Sequence, residues 1–305
     1  MIAQILKQYI VKGKKLKFGF LTDKKEIICQ DFKISPLPDI DDTLIEFYEK
    51  CNVSKGWIYG PEVELSKSFM EQKKFKLRGP VKCSDYYKLK PTHEVTTSTL
   101  NDEHLQFLVL AYGFLQGIYL IPEGNLYFTR TAYESGKLNG LVLSGDDYVN
   151  GMEQLHHYFL NANQKDRKQL FAILHWFLIG QSHEFQWEIF DSQYKVLDGI
   201  YKLSGVHAQT HAQRPIKLAE KYGVITPDWA ELNEAKSKLS ILRNELVHEA
   251  KYAGEPIGYA HTENNYTLEF TSFNTKLICA ILGLKTPYIK MNPECRQICG
   301  WDIAK

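Results

Sequence analysis

The chain has 305 residues, with 37 Lys and Arg against 36 Asp and Glu, and 44% hydrophobic and 24% charged residues. That composition belongs to a soluble globular protein with a real core and excludes a disordered chain, and the length leaves room for two domains. The net charge of +1 excludes a globally basic nucleic-acid binder, so any surface for RNA or DNA must be a local patch. Six cysteines, Cys29, Cys51, Cys83, Cys279, Cys295 and Cys299, are widely spaced and read as reduced thiols of a cytoplasmic protein.

At the start, "MIAQILKQYIVKGKKLKF" has a short apolar run, but Lys7 interrupts it and no small-residue cleavage site follows. No signal peptide is expected. "KLKFGFLTD" and "KEIICQDFKI" then read as two strands joined by a charged turn. Further strands are expected at "GWIYGPEVEL", "LYFTRTAY" and "GLVLSG", between Gly, Pro and Asn punctuation. "LQFLVLAYGFLQGIYLI" is the most apolar stretch. It carries Gln106 and Gln116 and ends at Pro122, which fits a buried helix over about 101–117 running into a strand better than a membrane span. Thr99 and Asp102 fit a capping box at its start.

From Met152 to Lys202 the pattern turns helical, with Leu170, Ile173, Leu174, Phe177 and Leu178, and then Phe185, Ile189, Val196, Leu197 and Ile200, at helical spacing. A short helix "IKLAEKYG" is expected to stop at Gly223. A longer helix is expected from Pro227 to about Tyr252, followed by a strand or extended arm, an apolar helix and a loose tail. The fold class is therefore α+β: a mixed sheet-plus-helix domain at 1–150, for sensing or positioning, and a helical bundle at 151–305.

Inside the long helix lies "SILRNELVHEAKY". At about 3.6 residues per turn, Ala235, Leu239, Leu242 and Leu246 form a core-facing stripe, while Asn244 and His248, four apart, stack on nearly the opposite side with Ile241 beside them. Arg243 lies between the two faces. That second face is either the wet side of the helix or an interface with a partner subunit. Its chemistry is specific: histidine exchanges protons near neutral pH, arginine holds a phosphate through two parallel hydrogen bonds, and an amide orients either one. Such a set suits cleavage of RNA by attack of the ribose 2′-hydroxyl, with no metal or cofactor. One histidine does not easily act as both acid and base, whereas two copies related by two-fold symmetry would supply both.

At "RNELVH" the sequence resembles the HEPN superfamily, whose ribonucleases carry Arg, usually a polar residue next, and then His, with four to six residues between the Arg and the His. "RPIKLAEKYG" and "AKSKLSILRNELVHEA" resemble the segments leading into and through that motif, and the resemblance spans about residues 152–285. It implies a helical bundle that pairs as a homodimer with the motifs facing each other across a cleft, and RNA cleavage without a metal. It also implies Arg243 and His248 as catalytic residues, with Asn244 supporting them. Active members of that superfamily include toxins and phage-defence effectors, which suggests an antitoxin or other regulatory partner. Other members keep the bundle without cutting, so a nucleotide- or partner-binding dimerisation module is the alternative.

Further candidates for binding the substrate are Glu184 and Glu188, which would set a carboxylate beside the arginine and histidine, and His207, His211 and Arg214, which would line an RNA path or order a loop. For each carboxylate a solvated helix side is the plainer account. His207 and His211 have no third ligand at a natural distance, and Cys295 and Cys299 are two thiols only, so no metal site is expected. The basic clusters Lys12, Lys14, Lys15, Lys17 and Lys73, Lys74, Lys76, Arg78 would either track phosphates or sit on solvated strand edges.

Overall fold

The computed structural model describes residues 13–50, 52–54, 56–62, 71, 89–122, 130–132, 134–136, 139–183, 185–259, 266–292 and 300–305. The chain forms two compact units, one of Met1–Val109 with Leu120–Glu134 and one of Leu110–Tyr119 with Ser135–Lys305. The fold is α+β, with the two larger sheets in the first unit and most of the helical residues in the second.

In the first unit, strands β1 (Lys14–Gly19), β2 (Ile27–Ile28) and β3 (Lys33–Pro36) lead to helix α1 (Ile40–Lys50), strands β4 (Asn52–Ser54) and β5 (Trp57–Tyr59), and strand β6 (His93–Thr97). Helix α2 (Asp102–Gln116), β7 (Ile121–Pro122) and β8 (Arg130–Ala132) follow. One antiparallel sheet has the order β2-β3-β6-β1-β7 and a smaller one the order β4-β5-β8. The segment expected as one strand after β1 is two, β2 and β3, and β1 pairs with β6 and β7. Along β6, His93, Val95 and Thr97 are buried while Glu94 and Thr96 are partly exposed, the alternation a pleated strand gives. Two lysines of the first basic cluster are neutralised locally, Lys14 by Asp102 at 3.1 Å and Lys15 by Glu94 at 3.8 Å. Lys12 and the cluster from Lys73 to Arg78 lie outside the described residues.

Helix α2 begins one residue later than expected, and its cap is Asn101, whose side-chain oxygen accepts the His104 amide at 2.9 Å. Its later half belongs to the second unit: Tyr112 meets Tyr148 edge-on and the Asn139 amide donates to the Phe114 carbonyl at 2.7 Å. Residues 135–150, grouped with the first half by composition, also fall in this second unit. "GLVLSG" forms only a single bridge, Val142 to Gly300.

Helices α3 (Asp147–Asn161), α4 (Gln164–Gln181) and α5 (Gln186–Ser204) are the long elements of this unit. Leu170, Ile173, Leu174, Phe177 and Leu178 on α4, and Val196, Leu197 and Ile200 on α5, are buried as their spacing requires, whereas Phe185 is 53% exposed. Helices α4 and α5 approach closely at two glycines. A Cβ on Gly180 would lie 2.6 Å from Ser192 Cβ, and one on Gly199 would lie 2.7 Å from Ile173 Cγ1. Helix α6 (Arg214–Tyr222) stops at Gly223 in the left-handed conformation, as expected.

The expected long helix from Pro227 to Tyr252 does not exist as such. Residues Asp228–Ala230 make a 3₁₀ turn, the chain turns again at Asn233–Lys236, and an α-helix, α7 (Lys238–Asn244), is followed by a π-turn over Glu245–Glu249. Strands β9 (Lys251–Tyr252) and β10 (Glu255–Pro256) form a hairpin, and α8 (Thr267–Ile281) is a helix throughout, with no strand at its start. Residues 300–305 do not form a loose tail. Asn150 Nδ2 donates to the Ile303 carbonyl at 2.7 Å, and Asp147 Oδ1 accepts the Ile303 amide at 2.9 Å. Among the described residues no helix is long and apolar enough to cross a membrane.

Candidate functional site around Arg243 and His248

Helix α7 starts where its sequence allows a tight cap. The Ser237 hydroxyl accepts the Ser240 amide at 3.1 Å and the Ser240 hydroxyl accepts the Ser237 amide at 2.9 Å. Leu239 and Leu242, 1% and 5% exposed, hold the helix to the core. Ala235, expected on the same stripe, is exposed because the helix begins only at Lys238, and Leu246 is half-buried because it falls in the π-turn.

The winding decides the geometry of the motif. In an α-helix, residues five apart are about 140° apart around the axis. A π-turn closes i to i+5 and brings such residues closer together around the axis. Here the Ala250 amide donates to the Glu245 carbonyl, the closure that defines the turn. As a result Arg243 Nη1 lies 3.2 Å from His248 Nε2 and 3.2 Å from Asn244 Oδ1. Guanidinium groups only donate, so His248 Nε2 and Asn244 Oδ1 are the acceptors. Arg243 is half-buried, Asn244 and His248 are exposed, and among the described residues no carboxylate pairs with Arg243. Ile241 and Val247, 44% and 52% exposed, lie on the same segment.

A second group of polar side chains adjoins the first. The 3₁₀ turn His211–Gln213 packs against α7, and Arg214 follows it directly at the start of α6. Arg214 Nη1 pairs with Asp198 Oδ1 of α5 at 2.5 Å, and its guanidinium sits 4.5 Å from the centre of the Tyr201 ring. The two arginines act on the same neighbours. Burial, then Arg214 and then Arg243, push the exposed His211 below the usual histidine range, with Asp198 opposing. Burial pushes the Tyr194 phenol up to about 12, assisted by Asp198 and opposed by Arg243 and Arg214. Arg243 and Arg214 thus act together on His211 and Tyr194, with Asp198 opposing them.

The other candidates are distributed as follows. His207 is exposed on the loop before the 3₁₀ turn, a loop held by the Tyr201 hydroxyl, which accepts the Ala208 amide at 3.0 Å. Glu188 faces His183 at 3.8 Å in the first turn of α5. Ten residues separate it from Asp198, roughly 15 Å along the helix. Glu184 lies outside the described residues. Asp198 and Tyr194, which sequence reasoning passed over, carried one signal: Tyr194, Asp198 and Tyr201 recur at i, i+4 and i+7, on one side of the helix. Among the described residues no three His, Cys, Asp or Glu side chains gather as a metal site would need.

A scan of the chain against protein-family models found no match, and neither did searches of curated proteins and of solved structures.

Proposed function

We propose that the protein is a metal-independent endoribonuclease of HEPN type, acting in the cytoplasm as a homodimer with a composite Arg/His site and serving as a toxin or phage-defence effector under an antitoxin or other regulatory partner. The observation that carries this reading is the π-turn contact, which joins an arginine with no carboxylate partner among the described residues to an exposed histidine at 3.2 Å. π-turns are rare and recur at functional sites.

In this reading Arg243 holds the scissile phosphate and stabilises the charge that grows on its oxygens. A histidine base takes the proton of the ribose 2′-hydroxyl, the 2′-oxygen bonds to phosphorus, the bond from phosphorus to the 5′-oxygen breaks, and a histidine acid protonates that oxygen. The products are a 2′,3′-cyclic phosphate and a 5′-hydroxyl. Asn244 fixes the guanidinium, and Arg214 and His211 receive the neighbouring chain. Exposed Ile241 and Val247 beside the pair suit contact with a second copy, which would supply the second histidine.

The rival, a non-catalytic nucleotide- or partner-binding module, would be favoured by a His248 packed against its own core, and His248 is exposed. Purified protein incubated with total RNA and EDTA, beside Arg243→Ala and His248→Ala, separates the two. The parent should cut and each variant should lose about 10²- to 10⁴-fold in rate with its fold retained. Cleavage by both variants at the parental rate overturns the proposal.

A further inference from the structure

The wide turn at Glu245–Glu249 needs a cause, because a plain α-helical continuation would give regular i to i+4 bonds. None of its five residues is fully buried, so packing of the turn itself does not hold it. Both of its flanks are anchored. Leu242 before it is 5% exposed, and Tyr252 after it is 1% exposed with its ring 5.6 Å from that of Phe190. Between these anchors the chain leaves the turn through Ala250, at φ 52, and enters the β9–β10 hairpin. The two-residue tip of that hairpin, Ala253 and Gly254, has φ 53 and 86, the primed kind of turn that suits the twist of paired strands. It also carries the Gly254 amide back to Glu245 Oε2, at 3.1 Å. Glu245 therefore closes the turn twice, its carbonyl accepting from Ala250 and its carboxylate from Gly254.

We infer that Glu245 is the positioning residue of the Arg243–His248 pair: its carboxylate, bound to the Gly254 amide, latches the hairpin to the π-turn and so keeps His248 Nε2 on Arg243. The kinetic consequence rests on the ribonuclease reading above; the geometric one does not. Without the latch the segment can rewind as an α-helix, which turns His248 about 140° away from Arg243. Misplacement of a reacting group by an ångström costs on the order of 100-fold in rate.

The test uses the full chain with Glu245→Ala, Glu245→Met, which has similar length and no oxygen, and Glu245→Gln, which keeps an acceptor. Three quantities are read: amide exchange at Gly254, the His248 ring-nitrogen resonances, and kcat and KM on RNA. The Ala and Met variants should exchange the Gly254 amide about tenfold faster, by loss of its hydrogen bond to the carboxylate. They should also move the His248 resonances to those of Arg243→Ala, and lose about 100-fold in kcat with KM little changed. Glu245→Gln should restore all three.

Unchanged exchange and resonances in the Ala and Met variants overturn the inference. So does a Gln variant as impaired as Ala, which would mean that the charge acts and not the acceptor. Should the parent and His248→Ala be equally inert towards RNA, the ribonuclease reading falls, while the exchange and resonance measurements still decide whether Glu245 is the latch.

Discussion

Replacing Asp198 by Asn tests the electrostatic frame of the site. The Asp198–Arg214 pair is 2.5 Å long, and its side chains are 33% and 21% exposed, so it is mostly but not wholly withdrawn from water. Exposed pairs contribute about 0–1 kcal/mol, whereas removing one partner of a fully buried pair costs about 3–5 kcal/mol. An intermediate burial points to a loss of about 1–3 kcal/mol between those limits. Asn keeps the shape and an oxygen acceptor, and the stacking of Arg214 on Tyr201 remains, so the loss reports the charge. Urea titration followed by far-ultraviolet circular dichroism, which the helices dominate, would measure it. A double-mutant cycle with Arg214→Gln isolates the coupling of the pair. A coupling below about 0.5 kcal/mol would show that solvent already screens the pair and would refute the reasoning.

Two further predictions concern histidines. Burial and the two arginines lower the proton affinity of His211, with Arg214 named ahead of Arg243, so Arg214→Gln should move the His211 titration to higher pH. The freed Asp198 carboxylate pushes the same way. A nuclear magnetic resonance titration showing no shift, or a downward one, would disprove the placement of these groups. In the first unit, burial pushes His93 down to about 4. Its folded value lies below its unfolded one, so as pH falls through about 6.5 the unfolded chain takes up the proton and the native chain does not. Stability should therefore decline by about 3 kcal/mol between pH 6.5 and 4. Urea titrations across that window, beside His93→Gln, would test it: the variant should lack this contribution, and an identical slope in the two proteins would contradict it.

What the sequence made legible followed from local chemistry. Leu170 to Leu178 mark one side of a helix, and Gly223 supplies the left-handed residue at which α6 ends, whereas "HEVTT", the middle strand of the larger sheet, was not among the expected strands because five residues with two threonines and a glutamate carry little apolar signal. The α+β class and the succession of sheet and then helices follow from such patterns. The motif residues were equally visible, because arginine, asparagine and histidine within six positions are a chemical statement in any fold. Their geometry was not. Helical periodicity paired Asn244 with His248 and left Arg243 between two faces, since periodicity presumes that one winding continues. Which winding the backbone adopts was decided by distant groups: Tyr252 seated against Phe190, and the hairpin tip reaching back to Glu245. Asp198 enters for the same reason, since α5 and α6 are brought side by side by tertiary packing. Sequence alone determined which chemical groups this protein owns and the local elements that carry them. Tertiary structure decided which groups meet, because hydrogen bonds act over about 3 Å while the partners they join here are separated by the packing of whole helices.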